Sequence, residues 1–155
     1  TKVIPDFLRY KKEHGGEVKL VMVGGTELDI KRSDSPDIIF TGYVSDEEKS
    51  SIIRHATVMV NPSRMESLSL LMLEAMQNRV PLLVNGRSRV MKDHCKSSGA
   101  AFWYNSSRDF RNKLHRLISD PELRRTMSEK GPVYVREHYD WSVIIPKLRT
   151  LIESI

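Results

Sequence analysis

The stretch Thr57-Val58-Met59-Val60-Asn61-Pro62-Ser63-Arg64-Met65-Glu66-Ser67-Leu68-Ser69-Leu70-Leu71-Met72-Leu73-Glu74-Ala75-Met76 carries the reading of the fold. It opens on an apolar, β-branched run that stops at Asn61-Pro62, the pattern of a buried strand closed by turn residues. A polar loop follows. Then Leu68 to Asn78 is apolar nearly all round, as in a helix packed inside a larger body. Pro81-Leu82-Leu83-Val84 returns as a second strand and stops at Asn85-Gly86. A strand, a helix and a further strand make a βαβ unit, which implies a parallel sheet.

The same alternation runs outward in both directions. Val18 to Val23 stops at Gly24-Gly25, Ile38-Ile39-Phe40 stops near Gly42, and Ala100 to Trp103 stops before Asn105. Near-continuous apolar runs of this kind predict strands buried on both faces. Helices are expected at Ile4 to His14, around Phe7, Leu8 and Tyr10, and at Asp46 to His55, where Ser45 and Glu48 form a capping box. Ser107 to Ser119 carries Phe110, Leu114, Leu117 and Ile118 at helical spacing. Asp120-Pro121 reads as a cap followed by proline at the first helical position, opening a helix to about Lys130 that Gly131-Pro132 should break or kink. A last helix follows Asp140, with Pro146 bending it or marking a late start. The fold class is α/β, a Rossmann-like three-layer sandwich with a parallel sheet. Ligands of such sheets sit beyond the carboxyl ends of the strands. The residues to weigh are therefore Gly24-Gly25, Gly42-Tyr43-Val44, Asn61 to Glu66, and Asn85 to Arg89.

A chain of 155 residues with 39% apolar and 29% charged residues fits one soluble domain with a real core. No apolar run approaches the roughly 20 residues of a membrane span. Thr1-Lys2-Val3-Ile4-Pro5-Asp6 lacks the basic start and apolar stretch of a signal peptide. The single cysteine, Cys95, rules out an internal disulfide and suits a reducing compartment. His94 lies beside it, but no second Cys or His stands at zinc-ligand spacing, so Cys95 reads as structural or surface. The net charge of +5 comes from scattered basic residues, without the aromatic-basic interleaving of single-stranded nucleic acid binders.

Chemistry concentrates between Glu66 and Glu74, which enclose seven residues. Glu66 falls in the loop and Glu74 about two turns into the helix. Between them, Ser67, Leu68 and Ser69 present the free N–H groups of a helix start, a natural phosphate site. A loop carboxylate can hold sugar hydroxyls, and a deeper one can accept two hydrogen bonds from a ribose diol. The plainer reading makes Glu66 a solvated first-turn glutamate favoured by the helix dipole and Glu74 a surface residue. The apolar setting of Glu74 points to partial burial and a need for a donor partner.

This segment resembles the E-x7-E motif of the group 1 glycosyltransferases, retaining enzymes of GT-B fold in family 4. Other motifs match in the same order. Val18 to Gly25 is similar to the family's strand and glycine turn, Ile39-Phe40-Thr41-Gly42-Tyr43-Val44 to its F-x-G-x-V strand, and Asn61-Pro62-Ser63 to its P-S. Leu73-Glu74-Ala75-Met76 with Val80-Pro81-Leu82-Leu83-Val84 resembles L-E-A-M-a-x-G-x-P-V, and Tyr139-Asp140-Trp141 the aromatic-x-Trp near its C-terminus. The resemblance implies a donor-binding domain over residues 1–155 that takes a nucleotide diphosphate sugar. Glu66 would be the catalytic residue, contacting the transferred sugar near the reacting carbon. Ser67, Leu68, Ser69 and Leu70 would meet the diphosphate and sugar, Glu74 the ribose, and Val44 the base with Tyr43 beside it. Gly24 and Gly25 would let the backbone pass close to the nucleotide. By its position two residues before Glu66, Arg64 is the strongest basic candidate for contact with the diphosphate or an anionic acceptor. No metal or other cofactor is expected, because positive side chains and the helix N-terminus stabilise the leaving group.

The resemblance also implies a hexosyltransferase acting on a glycan or lipid-linked acceptor in polysaccharide, glycolipid or cell-envelope glycan synthesis. It implies a cytoplasmic protein, at the cytoplasmic face of a membrane where the acceptor is lipid-linked. The chain departs from the family at three places. Ser67 and Ser69 replace glycines around the first glutamate, and Asn78-Arg79 stands where a glycine precedes x-P-V. The chain also starts after the family's first strand and its basic loop, and lacks the N-terminal acceptor domain. The expectation is a fragment inactive alone. The alternative is a Rossmann-like nucleotide-binding module without catalysis.

Arg87, Arg89 and Lys92 share Arg64's position near strand ends but fit a solvated basic surface equally well. His55, His115 and His138 read as surface or packing residues, and Trp103 and Trp141 as core or interdomain packing rather than base stacking. Gly24-Gly25 lacks the third glycine and acidic residue of the dinucleotide fingerprint, which disfavours a nicotinamide dehydrogenase.

Overall fold

The computed structural model describes residues 2–25 and 35–154. Helices and strands alternate as α1 (Val3–His14), β1 (Leu20–Val23), β2 (Ile38–Gly42), α2 (Asp46–His55), β3 (Met59–Asn61), α3 (Leu70–Gln77), β4 (Leu82–Asn85), α4 (Arg89–Ser98), β5 (Ala101–Tyr104), α5 (Ser107–Ser119), α6 (Pro121–Tyr139) and α7 (Trp141–Glu153). All the paired strands are parallel. β1 pairs with β2, and β3, β4 and β5 form a second ladder with β4 at its centre.

The alternation of side chains along β4 shows the three layers. Leu82 and Val84 face a core shared with α2, α3, α4 and Tyr134 of α6. Leu83 faces the opposite core, built with α1, α5, Leu20 and Met22 of β1, and Ile38 and Phe40 of β2. All three β4 residues are fully buried, and each side chain so placed contributes about 1.5–3 kcal/mol. The Ser45–Glu48 capping box closes α2 in both directions, and the Asp120 side chain accepts from the Leu123 N–H above Pro121.

Three expectations need correction. β1 and β2 are buried on one face only: Val21, Val23 and Ile39 are exposed on the other. An unexpected helix, α4, lies between β4 and β5. Gly131-Pro132 does not end α6, which continues to Tyr139. Pro132 has no N–H for the Ser128 carbonyl, but α6 is held by its packing on α3. A Cβ on Gly131 would lie 2.7 Å from the Met76 carbonyl oxygen of α3, so that residue serves close helix contact. Pro146 lies inside α7 without delaying its start.

Helix α7 buries none of its residues, and Trp141 at its head is 72% exposed, so it is no core residue here. Among the described residues no helix is long and apolar enough to cross a membrane.

Candidate functional site

Parallel pairing places the carboxyl ends of neighbouring strands on one edge, and each ends in a turn with a distinct device. At the end of β1 and β2, Gly24 and Gly42 both adopt positive φ, and the Gly24 N–H donates to the Gly42 carbonyl at 2.9 Å. A side chain would resist that geometry. The next residues, Gly25 and Tyr43, touch: a Cβ on Gly25 would run into the Tyr43 ring. Tyr43 is 78% exposed, and Val44 beside it is half-buried.

β3 and β4 end in asparagines. The buried Asn61 Oδ1 accepts from the Ser63 N–H at 3.0 Å, turning the chain out of β3. Its Nδ2 donates to Ser69 Oγ at 3.1 Å and reaches Glu66 Oε1 at 3.5 Å. Asn85 Oδ1 accepts from the Arg87 N–H, and its Nδ2 donates to the Pro62 carbonyl at 3.0 Å, tying the two strand ends together. Asn61, expected only as the start of the strand-end loop, links both ends of the Glu66–Ser69 segment.

Helix α3 begins at Leu70, two residues later than expected, with Ser69 as its N-cap. Ser67 and Leu68 therefore offer loop amides rather than first-turn amides. Ser69 adopts the left-handed region, φ 60° and ψ 66°, and makes no side-chain cap bond. The first turn beyond it presents the N–H groups of Leu70 and Leu71. Arg64, Ser67, Leu68 and Leu70 are exposed, Glu66 is half-buried, and Ser69 is buried. The surface is an open shelf rather than an enclosed cavity.

The Glu74 carboxylate is 42% exposed and meets Lys49 of α2, with Nζ 3.4 Å from Oε2. This is the donor partner its apolar helix required. The carboxylate raises the Lys49 ammonium above its ordinary pKa. Lys49 also reaches Asp46 at 3.5 Å.

The unexpected α4 reaches the same loop. His94 Nε2 lies 3.1 Å from the Leu68 carbonyl oxygen, and Nδ1 lies 2.9 Å from the Tyr134 hydroxyl of α6. Burial lowers the His94 pKa, against the opposing pull of the Leu68 carbonyl. Next to it, burial pushes the Cys95 thiol up to about 12. Cys95 is thus a structural residue. Arg87 and Arg89 lie after β4, and Lys92 sits 5.8 Å over the Trp103 ring, a packing contact.

A surface depression of about 440 Å³ lies at the amino ends of β3 and β4, lined by His55, Thr57, Arg79, Pro81 and Arg124. It shares none of the expected site residues. The strand-end shelf is favoured here because it gathers carboxylates, free amides and left-handed backbone on one edge.

The family model for glycosyl transferases group 1 matches residues 2–133. Alpha-D-kanosaminyltransferase of Streptomyces kanamyceticus is 30% identical over 121 residues, covering 76% of this chain and 31% of that protein. The chain spans about a third of the length of the curated relatives it matches. Sucrose-phosphate synthase from Thermosynechococcus elongatus superposes with a TM-score of 0.77 at 20% identity, over 99% of this chain and 42% of that one. Anabaena HepE, in a structure holding UDP and glucose, superposes with a TM-score of 0.78 at 14% identity, over 99% of this chain and 45% of that one. These likenesses establish the Rossmann-like half of a GT-B architecture.

Proposed function

Because the chain belongs to the group 1 glycosyl transferases, we propose that its strand-end shelf binds a nucleotide diphosphate sugar for transfer with retention of configuration. One observation carries this reading: Glu66 and Glu74 flank the Ser67–Leu71 segment, exposed except at Ser69, and each carboxylate meets a side chain of another element. Asn61 holds Glu66 and Lys49 holds Glu74. Both glutamates keep part of their surface exposed, the Glu74 side chain 42% of it.

In this reading Glu74 accepts hydrogen bonds from the ribose, and Glu66 orients the sugar hydroxyls beside the anomeric carbon. The amides of Ser67, Leu68, Ser69 and Leu70 receive the diphosphate, with Arg64 adding positive charge. Gly24 and Gly25 allow close backbone approach, and Val44 with Tyr43 meets the base. The bond from the anomeric carbon to the diphosphate breaks, an acceptor hydroxyl oxygen takes its place on the same face of the sugar, and the hydroxyl proton passes to the departing diphosphate oxygen. Backbone dipoles and cationic side chains stabilise the departing diphosphate without a metal. The UDP in the HepE structure supports this class of donor. The acceptor is proposed to be a glycan or lipid-linked glycan, met at a cytoplasmic membrane face, and no acceptor contact is assigned to these residues.

Titration with uridine and guanosine diphosphates, followed by amide NMR, tests the site. Shifts are expected at residues 42–44 and 66–74, and Glu74→Ala is expected to weaken binding about tenfold. Shifts confined to other residues would overturn the assignment. Transfer that survives both Glu66→Ala and Glu74→Ala in an assay of the enzyme would do the same.

A further inference from the structure

His94 stands 26 residues beyond Leu68 in the chain, on a different helix, yet it meets the loop at the carbonyl that precedes Ser69. A carbonyl oxygen only accepts, so His94 Nε2 carries a proton. The imidazole is 5% exposed, and burial disfavours its cationic form. Nδ1 is then the acceptor of the Tyr134 O–H, and two partners on two elements fix the tautomer. The rings of Tyr134 and Tyr139, at 5.9 and 5.7 Å, hold the imidazole in place. Among the other ionisable groups around it are Asp93, whose charge acts on His94, Cys95 on the same helix, and His138 on α6, whose ring lies 4.7 Å from that of Tyr134.

A trans peptide is planar, so its C=O and N–H point in opposite directions. Drawing the Leu68 oxygen toward α4 therefore aims the Ser69 N–H away from α4. Ser69 also holds a left-handed backbone that a residue with a Cβ resists. It is restrained from two sides, by Asn61 at its hydroxyl and by His94 at the preceding carbonyl.

We propose that His94 is a positioning residue, holding the Leu68–Ser69 peptide so that the Ser69 N–H faces the donor diphosphate. The inference rests on the reading of residues 66–71 as the donor shelf. His94 touches no substrate. It acts through the peptide it pins, and Tyr134 acts through His94.

The test compares the full chain with His94→Leu, His94→Gln and Tyr134→Phe. Dissociation constants are measured for UDP or GDP, whichever the unaltered chain binds, and for the parent nucleoside. His94→Leu is expected to weaken the diphosphate about tenfold, the loss of one charge-assisted hydrogen bond, while the nucleoside changes less than about twofold. His94→Gln keeps an N–H within reach of Leu68 and should stay within about threefold of the unaltered chain. Tyr134→Phe should fall between them. Equal weakening of diphosphate and nucleoside overturns the inference, because a merely structural role would produce it. So does His94→Leu binding as tightly as the unaltered chain. If neither diphosphate moves the amide resonances of residues 66–74 in the unaltered chain, the donor-site reading itself fails. If His94→Leu does not fold, the other two variants carry the same comparison.

Discussion

The two ends of α3 solve one conformational problem in different ways. Ser69 at its start and Arg79 past its end are the two non-glycine residues, among those described, with positive φ. They stand near the positions where the sequence departs from family glycines. At the far end the backbone supplies the restraint: the Val80 N–H donates to the Ala75 carbonyl and the Arg79 N–H to the Met76 carbonyl, a Schellman closure. Arg79 itself is exposed and adds no hydrogen bond of its own side chain to that closure. At the site end the restraint comes from side chains of other elements, Asn61 and His94. A strained residue beside the shelf is thus fixed by tertiary contacts, whereas the same strain at the far end is simply tolerated.

This contrast can be measured. Asn61→Leu should cost most, about 3 kcal/mol, because it strips the Ser63 N–H and the Ser69 hydroxyl of their buried partner. Urea unfolding would report it as a lower midpoint at unchanged slope. A loss under about 1 kcal/mol would mean that the asparagine does not hold the loop. Arg79→Gly should stabilise by about 1 kcal/mol, since it relieves left-handed strain and removes no tertiary bond. Its diphosphate affinity should not change. Ser69→Gly should come out near zero, within about 0.5 kcal/mol, because relief of strain is offset by the lost bond to Asn61. If Ser69→Gly instead stabilises as much as Arg79→Gly, the two ends do not differ.

Much of this architecture could be read from the chain because its signals are local. Ser45 with Glu48, Asp120 with Pro121, and the apolar runs ending at Gly24 and Asn61 each declare themselves within a few residues. Helix α4 did not. Its buried face, Met91, His94, Cys95 and Ser98, keeps helical spacing, but only half of that face is apolar and the rest of the helix is mostly polar, so the segment reads as a loop. Gly131-Pro132 misled in the opposite sense, because tertiary packing outweighs a local breaker. In the candidate site, Glu66 and Glu74 stood out less by their spacing than by the strand before them, the helix start between them and the apolar setting of Glu74. Lys49 and His94 were not visible, since each meets the motif segment from about 25 residues away in sequence. The need of Glu74 for a donor could be foreseen, but its identity required the packing of α2 against α3.

Cys95, the only thiol, is 3% exposed and holds its proton to about pH 12. It is therefore silent toward alkylating reagents while α4 stays docked, and becomes reactive once that helix opens. The helix that pins the loop carries its own gauge. The rate of thiol labelling, taken with and without nucleotide, reads how firmly the ligand clamps that side of the domain without any introduced probe.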